Sequence, residues 1–374
     1  MPAVSYHLTI NGTPASPEVL AALRRIDVED HEWLADILRL RLSVAVSQDG
    51  SRWSVLDEEV FPRLANITLR VQVGSAIRET LVDAYVIETR AEYSNQPGDS
   101  VLEVIAMDAT VLMGLEEKIR PWPNMADSDI ASTIFSEYSL GEKVEATSPA
   151  RDAIETTVMQ RGSDIQLLRQ LAARNGYEVY VEVHPDTGQP EGHFHPPQVD
   201  QDPQGVLSVN LGASTNVNSF RARYDMLRPT TATVQGLETS DQSSQGSDVQ
   251  TPRMSHLGSS AAGSEGRARR IILSQTGLAA GGELQTLAQA VVDESAWSIF
   301  AEGDLNTVAY GKIMRAKRPI MVRGAGRQFS GTYYVERVLH TIIGDEYRQH
   351  FVLRRNALGL TGQERFVESE ALSA

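Results

Sequence analysis

Val4, Tyr6, Leu8 and Ile10 alternate with polar positions and stop at Asn11-Gly12, a turn dipeptide. The period of two returns through Leu38, Leu40, Leu42, Val44 and Val46, and again through Ile67, Leu69, Val71 and Val73. Half-buried strands read this way, because successive side chains point to opposite faces. Residues 80–92 and 101–107 predict two more strands, joined through Asn95-Gln96-Pro97-Gly98. Strands at this spacing, mostly without helices between them, predict an antiparallel barrel or sandwich.

The period then changes. Residues 109–118 and 128–138 predict short helices on either side of Pro121-Trp122-Pro123. In the second, Ile130, Ile134 and Tyr138 share a face, with Asp127 or Ser128 as N-cap. Residues 163–175 predict a better helix: Ser163 caps it, Ile165, Leu168, Leu171 and Ala172 form its apolar stripe, and Gly176 suits the left-handed position after its end. Strands follow at 177–183 and 206–211. From 239 to 266 Ser, Gly, Gln and Asp dominate; too little apolar surface offsets the ordering entropy, so a loop or linker is expected. Residues 283–300 predict an amphipathic helix, with Leu284, Leu287, Ala288, Val291 and Ser295 on one face. Residues 331–343 and 347–355 predict a hairpin closed by Gly344-Asp345-Glu346. The chain is thus mainly β with an α insertion: two β-rich halves, the first carrying a small helical subdomain.

Composition narrows the function. At 374 residues the chain is long enough for two or three domains. Cysteine is absent, which excludes disulfides, thiolate metal sites and a Cys nucleophile. No apolar run is long enough to span a membrane, and the start lacks the pattern of a cleaved signal peptide. The net charge of −15 disfavours general attraction to nucleic acid or anionic membranes. Its distribution is uneven: residues 312–355 hold ten basic and three acidic side chains, giving +7 there and −22 elsewhere.

Catalytic signatures fail one after another. His31-Glu32-Trp33 has no second His four positions on, and Gly258-Ser259-Ser260-Ala261-Ala262 lacks the last Gly of a nucleophile elbow. Gly324-Ala325-Gly326 continues into Arg327-Gln328-Phe329 and then a strand, which breaks the dinucleotide fingerprint. Gly311-Lys312-Ile313 is no P-loop. Pairs such as Glu116 with Glu117, or Asp127 with Asp129, are ordinary in a chain with 49 acids. His184, His193 and His195, with Asp186 and Glu191 nearby, allow either a metal site or a solvated hairpin. No enzyme, cofactor or catalytic residue is predicted. The basic cluster Lys312, Arg315, Lys317, Arg318, Arg323 and Arg327 is either a solvated hairpin face or a surface for an acidic partner; a base-reading motif is missing, so sequence-specific nucleic-acid binding is not expected.

Two segments carry a family resemblance. Residues 119–182 contain Arg120-Pro121-Trp122, then DIASTIFSEYSL, then TTVMQRGSDIQLLRQLAARNGYEVYVE, in which Ser163-Asp164, Leu167-Leu168, Leu171 and Gly176-Tyr177 carry the match. The second is GAGRQFSGTYYVERVLHTIIGDEYRQHFVLRRNALG, through Gly324, Gly326, Phe329, Ser330, Gly331, Tyr333, Val335, His340, Phe351, Arg354 and Asn356. Leu287-Ala288-Gln289-Ala290 and a turn at Glu302-Gly303-Asp304-Leu305 precede it. Together they resemble the phage late control D proteins and the hub portion of VgrG spikes, baseplate hubs of contractile injection machines.

That resemblance implies two tube-protein-like antiparallel β-barrel domains plus the helical subdomain. The expected division is 1–118 for the main part of the first barrel, 119–185 for the helical insertion and its strand, and 186–238 for strands returning or bridging. A Ser/Gly-rich linker at 239–270, the second barrel at 271–362 and a tail at 363–374 complete it. It implies a structural homotrimer joining a threefold spike to a sixfold inner tube, with other baseplate components as neighbours and no membrane insertion by this chain. VgrG-type chains continue into an oligonucleotide-fold domain and a β-helix, so a separate spike protein is expected. Assembly in the bacterial cytoplasm, into a phage tail, tailocin or extracellular injection particle, is implied as well. The alternatives are a tail-associated peptidoglycan hydrolase and a carbohydrate-binding tail module. The basic cluster is expected to meet the tube or line a lumen, so that charge reversal at Arg318 and Arg323 weakens assembly without unfolding the monomer.

Overall fold

A computed structural model describes residues 4–47, 49–74, 77–96, 98–147, 157–184, 187–237, 244–263, 268–274 and 281–366. Its centre is one 13-stranded sheet. In the first half the order runs Thr13–Pro14, Val4–Ile10, Asn66–Val73, Ile77–Glu92, Val101–Met107, Ile37–Ser43 and Leu23–His31. In the second it runs Gly331–Ile343, Glu346–Arg355, Ile299–Asn306 and Ser219–Tyr224, with Pro319–Arg323 and Val206–Ser208 branching from the first of these. The alternation read from the sequence is what buries these strands: Leu38, Leu40 and Leu42, then Ile67, Leu69, Val71 and Val73, all point into the first core.

The two halves meet along one antiparallel seam, from Arg337 opposite His31 to Ile342 opposite Ile26. The Gly331–Ile343 strand makes this possible by changing partner along its length. Its start pairs with Pro319–Arg323, its end pairs with Leu23–His31, and an irregularity between Val335 and Arg337 separates the two stretches. Because the first half occupies the edge that a barrel would use to close, the ladder is open and continuous among the described residues, where two closed barrels were expected. Ile342 and Tyr347 of the second half accordingly sit in the first core.

The helical subdomain has its own core, built from the helices Asp127–Glu137 and Asp164–Asn175 and the strand Glu178–Val183. Ser163 is the N-cap of the second helix, and Gly176 ends it at φ +69°. The helix expected at 109–118 is instead a 3₁₀ turn, Ala109–Gly114, followed by a strand, Glu117–Trp122. That strand pairs with Val158–Ser163, and the Arg120 guanidinium stacks over Trp122 at 3.8 Å. The first helix is capped one residue early, at Ala126, whose N–H donates to Asp129 Oδ2 at 3.1 Å.

Two further readings change. Residues 302–305 lie inside the strand Ile299–Asn306 rather than in a turn; a Cβ on Gly303 would overlap the carbonyl of Ser219, so glycine is what lets the edge strand approach. Within the Ser/Gly-rich stretch, 238–243 and 264–267 lie outside the described residues, as does 367–374 of the tail. Ser244–Val249 is nevertheless a strand, paired with Thr230–Leu237, whose other edge pairs with Arg269–Ser274. The helix Gly281–Ala296 packs on this small sheet through Ala288 and Val292.

Candidate functional site

The strand Glu178–Val183 has two working faces. Val179 and Val181 join the helical core, while Glu178, Tyr180 and Glu182 point the other way, toward the second half of the molecule. On Leu23–His31 the same alternation places Ile26, Val28 and Asp30 on the buried face. An aspartate in an apolar phase requires a partner. It receives one from the loop before Pro319–Arg323: Lys317 Nζ donates to Asp30 Oδ1 at 2.6 Å and to the carbonyl of His31 at 3.2 Å. Asp36 Oδ1 stands 3.5 Å from the same ammonium, and the Tyr180 ring lies 4.8 Å away. Arg315 approaches Asp30 at 3.4 Å and Glu182 at 3.5 Å, and donates to the Leu81 carbonyl at 2.9 Å. Arg318 donates to Glu182 at 2.8 Å. First half, helical subdomain and second half are thus tied at one buried charge cluster.

The titration shifts follow from this enclosure. Burial alone raises a carboxyl group and lowers an ammonium, but the close opposite charges outweigh it. Asp30 is therefore held below the usual carboxylate range by Lys317 and Arg315, and Lys317 is held above its ordinary value by Asp30 and Asp36. Asp36 and Asp108 go the other way: burial raises both, and for Asp36 the neighbouring carboxylates Asp30 and Asp108 add to the rise.

A second buried knot lies beside the first. Arg354, from Glu346–Arg355, pairs with Glu32 and lies 3.7 Å from Glu178 Oε1 and 3.4 Å from Glu294 Oε2. Its guanidinium is 4.2 Å from the Trp297 ring centroid. Tyr334 donates to Glu178 Oε2 at 2.9 Å. Burial pushes Glu178 up to about 7; Glu294, at the edge of the knot with its side chain half exposed, is raised as well by partial desolvation.

The predicted basic cluster is split by the fold. Arg315 and Lys317 are internal, so they cannot present a surface. Lys312 is half-buried and donates to the Gln204 carbonyl at 2.9 Å. Arg318 and Arg323 are half-buried, the latter donating to Ser208 Oγ at 2.8 Å. Arg327 is exposed, on the turn Gly326–Phe329. Charge density along the chain could not separate these positions.

The family-signature residues act as structure. Tyr177 is buried against Phe194, with ring centroids 5.3 Å apart. Gly324 has φ +81° and its hydrogen faces the Val209 carbonyl, where a Cβ would overlap. Gly326 has φ +76°, and Gly331 leaves room for the Arg355 guanidinium, which donates to the Ser330 and Leu257 carbonyls. Tyr333 is fully buried and donates to the Phe329 carbonyl at 2.8 Å. His193 and His195 do project from one side of their strand, but toward Tyr180: His193 stacks on its ring at 4.4 Å and His195 Nε2 is 3.2 Å from its hydroxyl. His195 Nδ1 faces the Pro196 carbonyl at 2.8 Å. Asp186 lies outside the described residues. Among the described residues, no group of three or more His, Asp or Glu side chains is arranged to hold a metal, and no helix is long and apolar enough to cross a membrane.

An open sheet running through two halves, locked at its seam by buried ion pairs, is a fold this chain shares with solved phage-tail proteins. The 43 kDa tail protein of prophage MuSo2 from Shewanella oneidensis superposes with a TM-score of 0.68 at 14% identity, covering 94% of this chain and 98% of that one. A tail protein from Neisseria meningitidis gives 0.66 at 11%, with 96% and 98% covered. An Escherichia coli component of the type VI secretion system, described as structurally similar to T4 bacteriophage tail proteins, gives 0.57 at 12%, with 98% and 80% covered. The likeness to tail proteins is the one the resemblance implied, without the two closed barrels. The chain belongs to the family described as Alg8 N-terminal domain, whose model matches residues 4–344. No curated protein matches the sequence.

Proposed function

We propose that this chain is a structural baseplate hub of a contractile injection machine, without catalytic activity of its own. The observation that carries the reading is the seam: the two halves are one hydrogen-bonded sheet clamped by Lys317, Arg315 and Asp30. A part that passes thrust from a tube to a spike has to resist shear between its halves, and a continuous ladder with a buried ionic lock does so. Three copies, each supplying one β half from 1–118 and one built from 206–208, 219–224 and 299–355, would offer six similar units to a sixfold tube and three to a threefold spike. The helical subdomain at 119–185 would brace the pair. Of the basic cluster, Arg327 and the exposed parts of Arg318 and Arg323 remain as tube-facing or lumen-facing groups.

Sedimentation equilibrium of the purified chain, followed by co-purification with co-expressed tube and spike subunits, tests the proposal. A trimer that retains both partners is expected. A monomer that binds neither, or one that clears peptidoglycan or binds a glycan by itself, overturns it.

A further inference from the structure

Two exposed apolar features stand at opposite ends of the long sheet. At one end, beyond the aligned positions Ser43, Val101 and Glu92, Val46 bridges to Trp53. Trp53 packs edge-on against Tyr93 at 5.1 Å. Val46 and Tyr93 are nevertheless 48% and 61% exposed; the exposed Asp57 accepts the Trp53 N–H at 2.6 Å, and the exposed Glu92, next to Tyr93 in the chain, reaches Arg41 only in a surface pair at 4.0 Å. At the other end, the strand Ser219–Tyr224 runs into a tight turn. Asp225 holds it, accepting the Leu227 N–H on Oδ1 and the Arg228 N–H on its carbonyl, both at 3.3 Å. The turn thrusts Met226 and Leu227 into solvent at 66% and 79% exposure. The exposed Arg221 and Arg223 precede it; Arg221 reaches Glu302 only in a screened surface pair, and Arg223 lies over Phe300 at 4.4 Å.

We propose that the Met226–Leu227 turn of one copy docks on the Val46–Trp53–Tyr93 patch of a second copy. Arginines beside an aliphatic tip complement carboxylates around an aromatic seat, and buried aromatic anchors with a charged rim are what specific interfaces use. The features lie on different halves and at different ends of the sheet, so one molecule cannot join its own. A single contact uses a different surface on each copy, so it is head-to-tail and, repeated in one direction, propagates until a ring closes. The inference rests on the ring-forming hub reading and names the surfaces that would build it.

The test uses the full chain, with Leu227→Asp and Tyr93→Asp as separate variants at exposed positions, checked for folding by circular dichroism. Sedimentation velocity should show trimeric wild type, each variant alone as monomer, and their equimolar mixture as a one-to-one heterodimer, because each partner keeps one intact surface. Arg223→Glu should weaken the trimer at least tenfold, and adding Glu92→Arg in the same chain should restore it. Folded variants that remain trimeric overturn the contact and leave the hub reading standing. A monomeric wild type removes the ring and the contact together.

Discussion

Lys317 Nζ lies 2.6 Å from Asp30 Oδ1, a fully buried pair whose members are 287 residues apart in the chain. Removing either partner strands the other charge away from water. Lys317→Met and Asp30→Asn are each expected to cost about 3–5 kcal/mol of stability, read as a lowered midpoint in urea unfolding. The double variant Lys317→Met with Asp30→Leu should recover part of the loss. If the single variants unfold like wild type, the pair is not the lock described above.

His340 is fully buried and hydrogen-bonded to the Tyr347 hydroxyl at 2.8 Å. Burial, helped by Arg315, pushes it down to about 3. The unfolded chain takes up a proton below the ordinary value of about 6.5 while the folded one refuses it, so stability present above that pH is lost as pH falls toward 3. His340→Asn should flatten this acid limb by roughly 2 kcal/mol at pH 5, measured as the difference in unfolding free energy between pH 7 and pH 5 for the two proteins.

Glu178 carries the opposite sign. Burial raises it to about 7, so the folded chain holds a proton that the unfolded chain has released, and stability declines as pH rises from about 4.5 through 7. Glu178→Gln keeps an oxygen to accept from Tyr334 and should make that decline shallower between pH 5 and 8, the raised carboxyls of Asp36, Asp108 and Glu294 supplying what remains. A variant that declines as steeply as wild type would place the titration elsewhere.

Gly324 combines a left-handed backbone with an approach to the Val209 carbonyl that admits no Cβ. Gly324→Ala should cost about 1–3 kcal/mol or more through strain and displacement and lower the thermal midpoint. Gly326→Ala, with similar φ but open space around it, should cost less, and an equal effect would remove the packing part of the account.

Arg327 is the exposed member of the predicted basic cluster. Arg327→Glu should leave unfolding within about 0.5 kcal/mol of wild type while weakening retention of a co-expressed tube subunit. Arg318→Glu should differ, because it sets a second carboxylate against Glu182, its present partner at 2.8 Å, and destabilises the chain itself.

Much of the secondary structure could be read from local pattern. The alternation through 4–10, 37–43 and 66–73 is a statement about which faces meet water, and Ser163 with Gly176 delimits a helix through groups within a few residues. The misreadings came where a partner distant in sequence decided the outcome: Glu117–Trp122 is a strand because Val158–Ser163 is available to pair with it, and Gly303 serves close approach to Ser219 rather than a turn. One clue to the site was present, Asp30 standing in the buried phase after Ile26 and Val28, as were Glu178 and Glu182 flanking Tyr180 on one strand face.

By itself the sequence determined the β-rich character, the two halves, the helical insertion and the left-handed Gly176 at its helix end, since each follows from side-chain period or from steric demands within a few residues. Only the tertiary structure decided that the halves share one open sheet, and that the basic cluster divides into an internal lock and an exposed remainder. The physical reason is that a charge has the same formula buried or solvated. Whether Lys317 faces a partner protein or Asp30 depends on which strand claims the second edge of Gly331–Ile343, and that choice is made by chain segments some 300 residues apart.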